Sequence, residues 1–166
     1  MTTLTWDDIL ADRSLRHLPY KIETNHRAQI IMSPATNWHS DFQYAIAREL
    51  DDRMKKGRVS VEFAIQTADG VRVPDVTWIS QARRAPYGRT TVLPIAPEIC
   101  IEILSPSNQR EALLEKMQLF YERGAEEVWL CDELGNMEFF SHLTAHTPLP
   151  ASLLCPTFPH RIELDE

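Results

Sequence analysis

Apolar residues recur with helical spacing in two long stretches of the chain. Asn37 to Lys56 predicts one helix, because its apolar side chains fall on a single face and Gly57 follows as a stop. Gln109 to Arg123 predicts a second helix, which Gly124 ends. A short helix is also expected from Thr5 to Ala11. The apolar face of the first long helix consists of Trp38, Phe42, Ala45, Ile46 and Leu50, and we expect it to lie against a sheet.

Other segments alternate or are continuously apolar over the short lengths typical of strands. Ala68-Asp69-Gly70 is a turn signal that predicts a hairpin between the first two of them, while Tyr20 to Met32 reads as extended or hairpin structure. A last short strand is expected at Arg161 to Leu164. The predicted strands are Val59–Ile65, Val71–Ile79, Glu98–Leu104, Glu127–Cys131 and Met137–Ser141. This order of helices and strands predicts an α/β fold with a mixed sheet flanked by helices.

Composition narrows the class of protein. A chain of 166 residues, 43% of them hydrophobic, fits one domain with one packed core. There is neither a signal-peptide pattern nor an apolar run of about 20 residues, so we expect a cytoplasmic protein with no membrane span. The three cysteines are widely spaced, which favours buried reduced thiols over a zinc site or disulfides. A formal charge of −7 argues against a protein that coats nucleic acid non-specifically.

Two acidic residues stand where burial is unfavourable. Glu102 interrupts the apolar strand EICIEIL, and a carboxylate there must be neutralised, paired or bound to a cation. Asp75 follows Pro74, which disturbs regular strand pairing and could aim the aspartate out of the strand. Carboxylates at neighbouring strand ends form a hard oxygen site of the kind that Mg²⁺ prefers.

Lys116 is the third candidate residue. On a helical wheel it lies within the apolar arc that contains Leu113, Met117 and Phe120, so it either snorkels or points toward something anionic. A structural salt bridge with Glu102 is the simpler alternative for both residues, and a Pro-Asp pair such as Pro74-Asp75 is also common in turns.

Further polar residues have mixed interpretations. Glu49 lies on the apolar face of the first long helix, where an ion pair with Arg53 is the simpler explanation, and His39 is close to the same face, as a core or helix-start histidine would be. The segment from Gln81 to Thr91 contains no acid and is either a solvated loop or a phosphate contact; its basic residues are Arg83, Arg84 and Arg89. The sequence contains no GxSxG, HExxH or glycine-rich phosphate loop.

Three sequence runs resemble one known family. PDVTWIS, EICIEILSPSN and EALLEKMQLFYERGAEEVWLCDELGNMEFF are similar to the Uma-type restriction endonuclease family, a branch of the PD-(D/E)XK nuclease superfamily. The similarity extends from about Tyr20 to Phe140. It implies a restriction-endonuclease-like fold with one nuclease-like domain over residues 1–166, the core being about 20–141.

The resemblance assigns roles to particular positions. Asp75 matches the aspartate of the PD element and Glu102 the first residue of the (D/E)XK element, but Leu104 stands where the lysine is expected. In this family a lysine from the next helix, here Lys116, is taken to compensate. Ala112 replaces an acid that many relatives carry. Glu23 and His39 match recurring upstream positions without an assigned role.

The implied activity is hydrolysis of DNA phosphodiester bonds by a metal-activated water. The resemblance implies Mg²⁺, or Mn²⁺, held by Asp75 and Glu102 with the Ile103 carbonyl, and Lys116 assisting. Ser105 and Asn108 would hold the helix start or contact substrate. Superfamily analogy adds a homodimer. The alternatives are a catalytically weak module of the same fold that binds nucleic acid or protein, and a phosphodiesterase that acts on RNA.

Overall fold

The computed structural model describes residues 3–106, 108–144 and 146–165. Ser107, in the EICIEILSPSN run, lies outside these residues. Within them the helices are α1 (Trp6–Ala11), α2 (Asn37–Arg53), α3 (Gln81–Arg84) and α4 (Arg110–Glu122), with a 3-10 turn at Ala85–Tyr87. The strands are β1 (Tyr20–Thr24), β2 (Ile30–Pro34), β3 (Gly57–Val61), β4 (Ile65–Thr67), β5 (Gly70–Arg72), β6 (Val76–Ser80), β7 (Ile99–Ile103), β8 (Glu127–Cys131) and β9 (Met137–Ser141).

A five-stranded sheet runs in the order β3-β6-β7-β8-β9. Its β7–β8 pair is parallel and its other pairs are antiparallel, which confirms the predicted mixed sheet. All five residues of β7 are buried, as expected for a central strand that is apolar on both faces. The parallel pair is joined through α4, the crossover that a parallel connection requires.

The predicted hairpin between Val59–Ile65 and Val71–Ile79 was wrong in one respect: it is divided into two separate pairs. β3 pairs with β6 in the main sheet, whereas β4 and β5 form a short ribbon of their own. The break has two local causes. Glu62 has a φ of 51°, outside the extended region, and Pro74 has no N–H to donate.

Helices cover both faces of the sheet. Phe42, Ile46 and Leu50 of α2 pack with one set of strand residues, together with the C-terminal segment. Met117 and Phe120 of α4 pack with the alternate set. In β7 the isoleucines at 99, 101 and 103 belong to the α2 side and Cys100 to the α4 side. Because side chains alternate along a strand, Glu102 faces α4.

The β1–β2 hairpin is fixed to β5 by side chains of β1. Thr24 Oγ1 accepts a hydrogen bond from the Val71 N–H at 2.9 Å, and Glu23 Oε2 accepts one from the Val73 N–H at 2.7 Å. These contacts place the hairpin over the end of the main sheet, beside Asp75 and Glu102.

The remaining expectations concern the chain end, the thiols and the helices. In place of a final strand there is an isolated bridge between Asn136 and Arg161. Cys100, Cys131 and Cys155 are buried and free, as predicted. None of the helices in the described part of the chain is long and apolar enough to cross a bilayer.

Candidate active site

Strand register brings the two predicted carboxylates together. Thr77 of β6 pairs with Cys100 of β7, and Val76 pairs with Ile101. Asp75 precedes Val76 and Glu102 follows Ile101, so the two residues lie at the same end of this strand pair. The Asp75 N–H donates to the Ile101 carbonyl at 3.0 Å, which holds Asp75 at this position. Lys21 Nζ lies within 3.5 Å of both Asp75 Oδ1 and Glu102 Oε2, so the two carboxylates share one site.

Asp75 is almost completely buried, and both of its carboxylate oxygens have polar partners. Its Oδ2 accepts a hydrogen bond from the Ile103 N–H at 2.7 Å and lies 3.3 Å from His39 Nε2. Its Oδ1 lies 3.0 Å from Lys21 Nζ. Gln43 of α2 donates to the Asp75 carbonyl at 2.9 Å. The carboxylate is therefore held from several directions, which fixes its orientation.

Lys116 reaches the site from α4, as its wheel position suggested. Its Nζ lies 2.8 Å from Glu102 Oε1 and 2.8 Å from Glu23 Oε2. The side chain is 13% exposed, so it points inward and does not snorkel to solvent. Glu23, which had no role assigned from the sequence, therefore positions Lys116 while it also accepts a hydrogen bond from the Val73 N–H.

Lys21 completes a cluster of buried charged residues, and the sequence analysis missed it. The cluster consists of Lys21, Glu23, Asp75, Glu102 and Lys116. Its Nζ lies 3.0 Å from Asp75 Oδ1 and 3.5 Å from Glu102 Oε2. The only signal available in the sequence was that Lys21 and Glu23 alternate with apolar Ile22, which puts both on one face of a strand. Nothing in that pattern indicates which residues the face meets.

The pKa values of the three carboxylates in the cluster are shifted in different directions. Burial opposes the charged form of Asp75, but Lys21, His39 and the Ile103 N–H outweigh it and hold the pKa of Asp75 well below its ordinary value. For Glu23 burial is likewise outweighed by Lys116 and Lys21, and its pKa is lowered. Burial raises the pKa of Glu102, which lies near both ammonium groups but also near the other two carboxylates.

The cluster opens into a cleft of about 580 Å³. Of the described residues that line it, more are acidic than basic, so the cleft by itself repels phosphate. Its acidic residues are Glu23, Glu62, Asp69, Asp75, Glu102 and Glu115, and its basic ones are Lys21, Arg72 and Lys116.

Other candidates at the cleft mouth are less directly involved. Ser105 and Asn108 both line the cleft, and Asn108 Oδ1 accepts hydrogen bonds from the Ser105 N–H and hydroxyl, so this pair organises the approach to α4. Ile103 is the last residue of β7 and also lines the cleft. Glu49 Oε2 lies 2.9 Å from Arg53 Nη2, which is the ion pair expected as the simpler explanation of Glu49.

The basic segment forms α3 and the following 3-10 turn, not a plain loop. Arg83 donates to the Gly124 carbonyl at 2.7 Å and lies 3.4 Å from both Glu98 and Glu126. Arg84 stacks over the Phe63 ring, and Arg89 is exposed. These three arginines lie outside the cleft lining, and Arg83 has a structural set of partners.

The donor set at the cleft fits a hard divalent cation. Asp75 Oδ1 and Glu102 Oε2 already share one cation, the Lys21 ammonium. Within residues 3–106, 108–144 and 146–165, no three His, Cys, Asp or Glu side chains are arranged to hold a metal ion. The pair Asp75 and Glu102 is the donor set that Mg²⁺ would need, because Mg²⁺ commonly takes one or two carboxylates and completes its shell with water and substrate oxygens.

The chain matches one known protein family over most of its length. Residues 12–148 match the model of a family described as "Uma2: Putative restriction endonuclease". The chain belongs to the Uma2 family. The resemblance seen in the sequence is thus confirmed, and the match contains every residue of the cluster. No curated protein matches the chain significantly.

A solved structure supports the fold assignment for this Uma2 protein. A crystal structure described as "a putative nuclease belonging to DUF820" from Anabaena variabilis ATCC 29413 matches with a TM-score of 0.65 at 21% sequence identity. The match covers 87% of this chain and 81% of the other. At this identity the likeness concerns the fold. Fold and family membership together support a nuclease as the class of this protein.

Proposed function

We propose that this protein is a metal-dependent endonuclease that hydrolyses DNA phosphodiester bonds in the 580 Å³ cleft. The observation that carries the proposal is the pairing of Asp75 and Glu102 around a single cation position, with Lys116 2.8 Å from Glu102. A structural ion pair would need one lysine and one acid. Here three buried acids and two lysines converge at the wall of an open cleft, where burial is energetically unfavourable without a functional gain.

Asp75 and Glu102 would hold Mg²⁺ or Mn²⁺, with the Ile103 carbonyl as the third protein ligand. A metal bound there supplies an acidified water and neutralises charge that develops on the phosphate. The Ile103 N–H and His39 orient the Asp75 carboxylate. Glu23 positions the Lys116 ammonium, which would orient the attacking water or stabilise the phosphate oxygens.

The acidic cleft gives an independent reason for a metal requirement. Because acidic side chains outnumber basic ones along its lining, a phosphodiester gains little from entering the cleft of the metal-free protein. A divalent cation reverses that balance at the carboxylate pair. Homodimer formation and a cytoplasmic location stay predictions from the sequence.

Cleavage of supercoiled plasmid, single-stranded DNA and single-stranded RNA should be compared with Mg²⁺, Mn²⁺ or EDTA. We expect metal-dependent cleavage that Asp75→Asn abolishes. Lys116→Ala should lower the rate by about 10²- to 10³-fold, the usual loss for one transition-state charge contact. Exposed Lys55 provides a matched control, and Lys55→Ala should cleave like the wild type.

Cleavage that persists in EDTA, or survives Asp75→Asn, would show that the site is misassigned. Tight binding of nucleic acid without cleavage in every metal would favour the binding-module alternative. Cleavage confined to RNA would keep the chemistry and change the substrate.

A further inference from the structure

Lys21 occupies the cation position between the two proposed metal ligands. Its Nζ is 3.0 Å from Asp75 Oδ1 and 3.5 Å from Glu102 Oε2, and its side chain is 12% exposed. Both oxygens thus face the same point, which already contains a positive charge. A divalent cation bound by the same two oxygens would occupy nearly the same place.

The ammonium and a metal cannot occupy that position together. Two cations a few ångströms apart in a poorly solvated site repel each other strongly. Lys116 does not have this conflict, because it meets Glu102 through the other oxygen, Oε1, and is anchored by Glu23. The two lysines therefore have different relations to a metal, although both contact Glu102.

The Lys21 side chain also has space to move away from the two carboxylates. β1 belongs to a two-stranded hairpin outside the main sheet, and Lys21 lines the cleft directly. A lysine side chain has four rotatable bonds, so its ammonium can leave the carboxylates and enter the cleft without movement of the backbone.

We infer that Lys21 is a built-in counter-ion of the metal-free site, which a divalent metal must displace in order to bind Asp75 and Glu102. The inference rests on the proposed metal site. It makes Lys21 a residue that sets metal affinity, distinct from Lys116, which would act on the substrate. Metal binding then also moves the Lys21 ammonium from Asp75 and Glu102 into the cleft.

Calorimetric titration of the full chain with Mn²⁺, without nucleic acid, tests this inference. Lys21→Met retains a long, unbranched side chain and removes its charge, so we expect the Kd for Mn²⁺ to fall at least about 10-fold relative to the wild type. Lys21→Arg retains a competing cation and should bind no more tightly than the wild type. Lys55→Met is the matched control for the loss of an exposed lysine and should bind like the wild type.

A second measurement needs no variant and so does not depend on how well Lys21→Met folds. Lysine acetylation of the wild type, read by mass spectrometry, should be several-fold faster at Lys21 when Mn²⁺ is saturating than in EDTA. Lys55 is exposed in both states and provides the internal reference.

The outcomes separate this inference from the function on which it rests. If Asp75→Asn removes Mn²⁺ binding but Lys21→Met binds no tighter than Lys55→Met, or Lys21 reactivity does not rise with Mn²⁺, the counter-ion role is refuted and the metal site stands. If Mn²⁺ binds Asp75→Asn as well as the wild type, or fails to bind the wild type and Lys21→Met alike, the metal site is refuted and the counter-ion role with it.

Discussion

Three carboxylates share two ammonium groups at this site, and they do so unequally. Asp75 and Glu23 each accept a backbone N–H in addition to an ion pair. Glu102 has no such backbone hydrogen bond in the described structure, and its burial raises its pKa. The three residues are thus tuned by hydrogen bonding as much as by charge, and Glu102 is the carboxylate whose ionisation is least favourable.

This inequality predicts opposite pH dependences for two variants in EDTA. The folded-state pKa of Glu102 is above its unfolded value of 4.5, so wild-type stability from this group is present below pH 4.5 and is lost as pH rises. Glu102→Gln should therefore gain stability relative to the wild type as pH rises from about 4.5. The pKa of Asp75 is depressed below 3.8, so its contribution is present above that pH and is lost in acid. Asp75→Asn should consequently be most deficient at neutral pH.

Urea unfolding of the wild type and both variants across this pH range measures the difference. Variants that change in parallel with pH would contradict the assignment of the raised pKa to Glu102.

At the scale of elements, the sequence predicted the parts of the site that interrupt a pattern. Glu102 breaks an apolar strand and Lys116 breaks an apolar helix face, so both are visible in isolation. Lys21 could not be found in this way, because β1 is a half-exposed strand in which a lysine is ordinary. Its partners are 54 and 81 residues away in the sequence, and only tertiary structure brings them near. The separation of the β4–β5 ribbon from the β3–β6 pair escaped prediction because Glu62, between β3 and β4, adopts a positive φ that its residue type does not signal.

Gly70 lies where the β4–β5 ribbon contacts the β1–β2 hairpin, and this contact leads to a prediction. Gly70 has a φ of 81°, and a Cβ there would collide with the Thr24 carbonyl of β1. Gly70→Ala should destabilise the fold by about 2–4 kcal/mol, from backbone strain plus the collision, and should displace the hairpin that carries Lys21 and Glu23.

Gly88→Ala is the matched control for this substitution. Gly88 has a similarly positive φ of 56° but no atom within 4 Å of the added Cβ, so its variant isolates the backbone strain. Denaturant unfolding should show a clearly larger loss for Gly70→Ala. Equal losses would mean that the collision is relieved without consequence.

At the scale of the whole molecule, a further buried carboxylate outside the cleft ties the C-terminal segment to the sheet. Glu127, at the start of β8, is 1% exposed. It accepts hydrogen bonds from Trp129 Nε1 at 2.7 Å and Ser152 Oγ at 2.6 Å, and from the Leu153 and Leu154 N–H groups at 2.8 Å. These donors satisfy a charge that would otherwise be costly to bury. This hydrogen-bond network around Glu127 is structural, and its residues are not among those that line the cleft.

Glu127→Ala is expected to destabilise the protein by about 2–4 kcal/mol, because it leaves several buried donors without an acceptor. The C-terminal segment should then become sensitive to limited proteolysis, while the Kd for Mn²⁺ stays within about twofold of the wild type in the folded fraction. Exposed Glu133 offers the control, and Glu133→Ala should change neither property. A large change in Mn²⁺ affinity on Glu127→Ala would contradict the separation of the two clusters.

The position of the β1–β2 hairpin has a kinetic consequence. Its contacts with the rest of the site join residues 50 to 93 positions apart, so they close large loops and belong among the late events of folding. A chain that has formed the main sheet but not yet docked this hairpin has Asp75 and Glu102 adjacent, without the lysine that neutralises them or the glutamate that aims Lys116. Full assembly of the cluster is therefore coupled to completion of the fold.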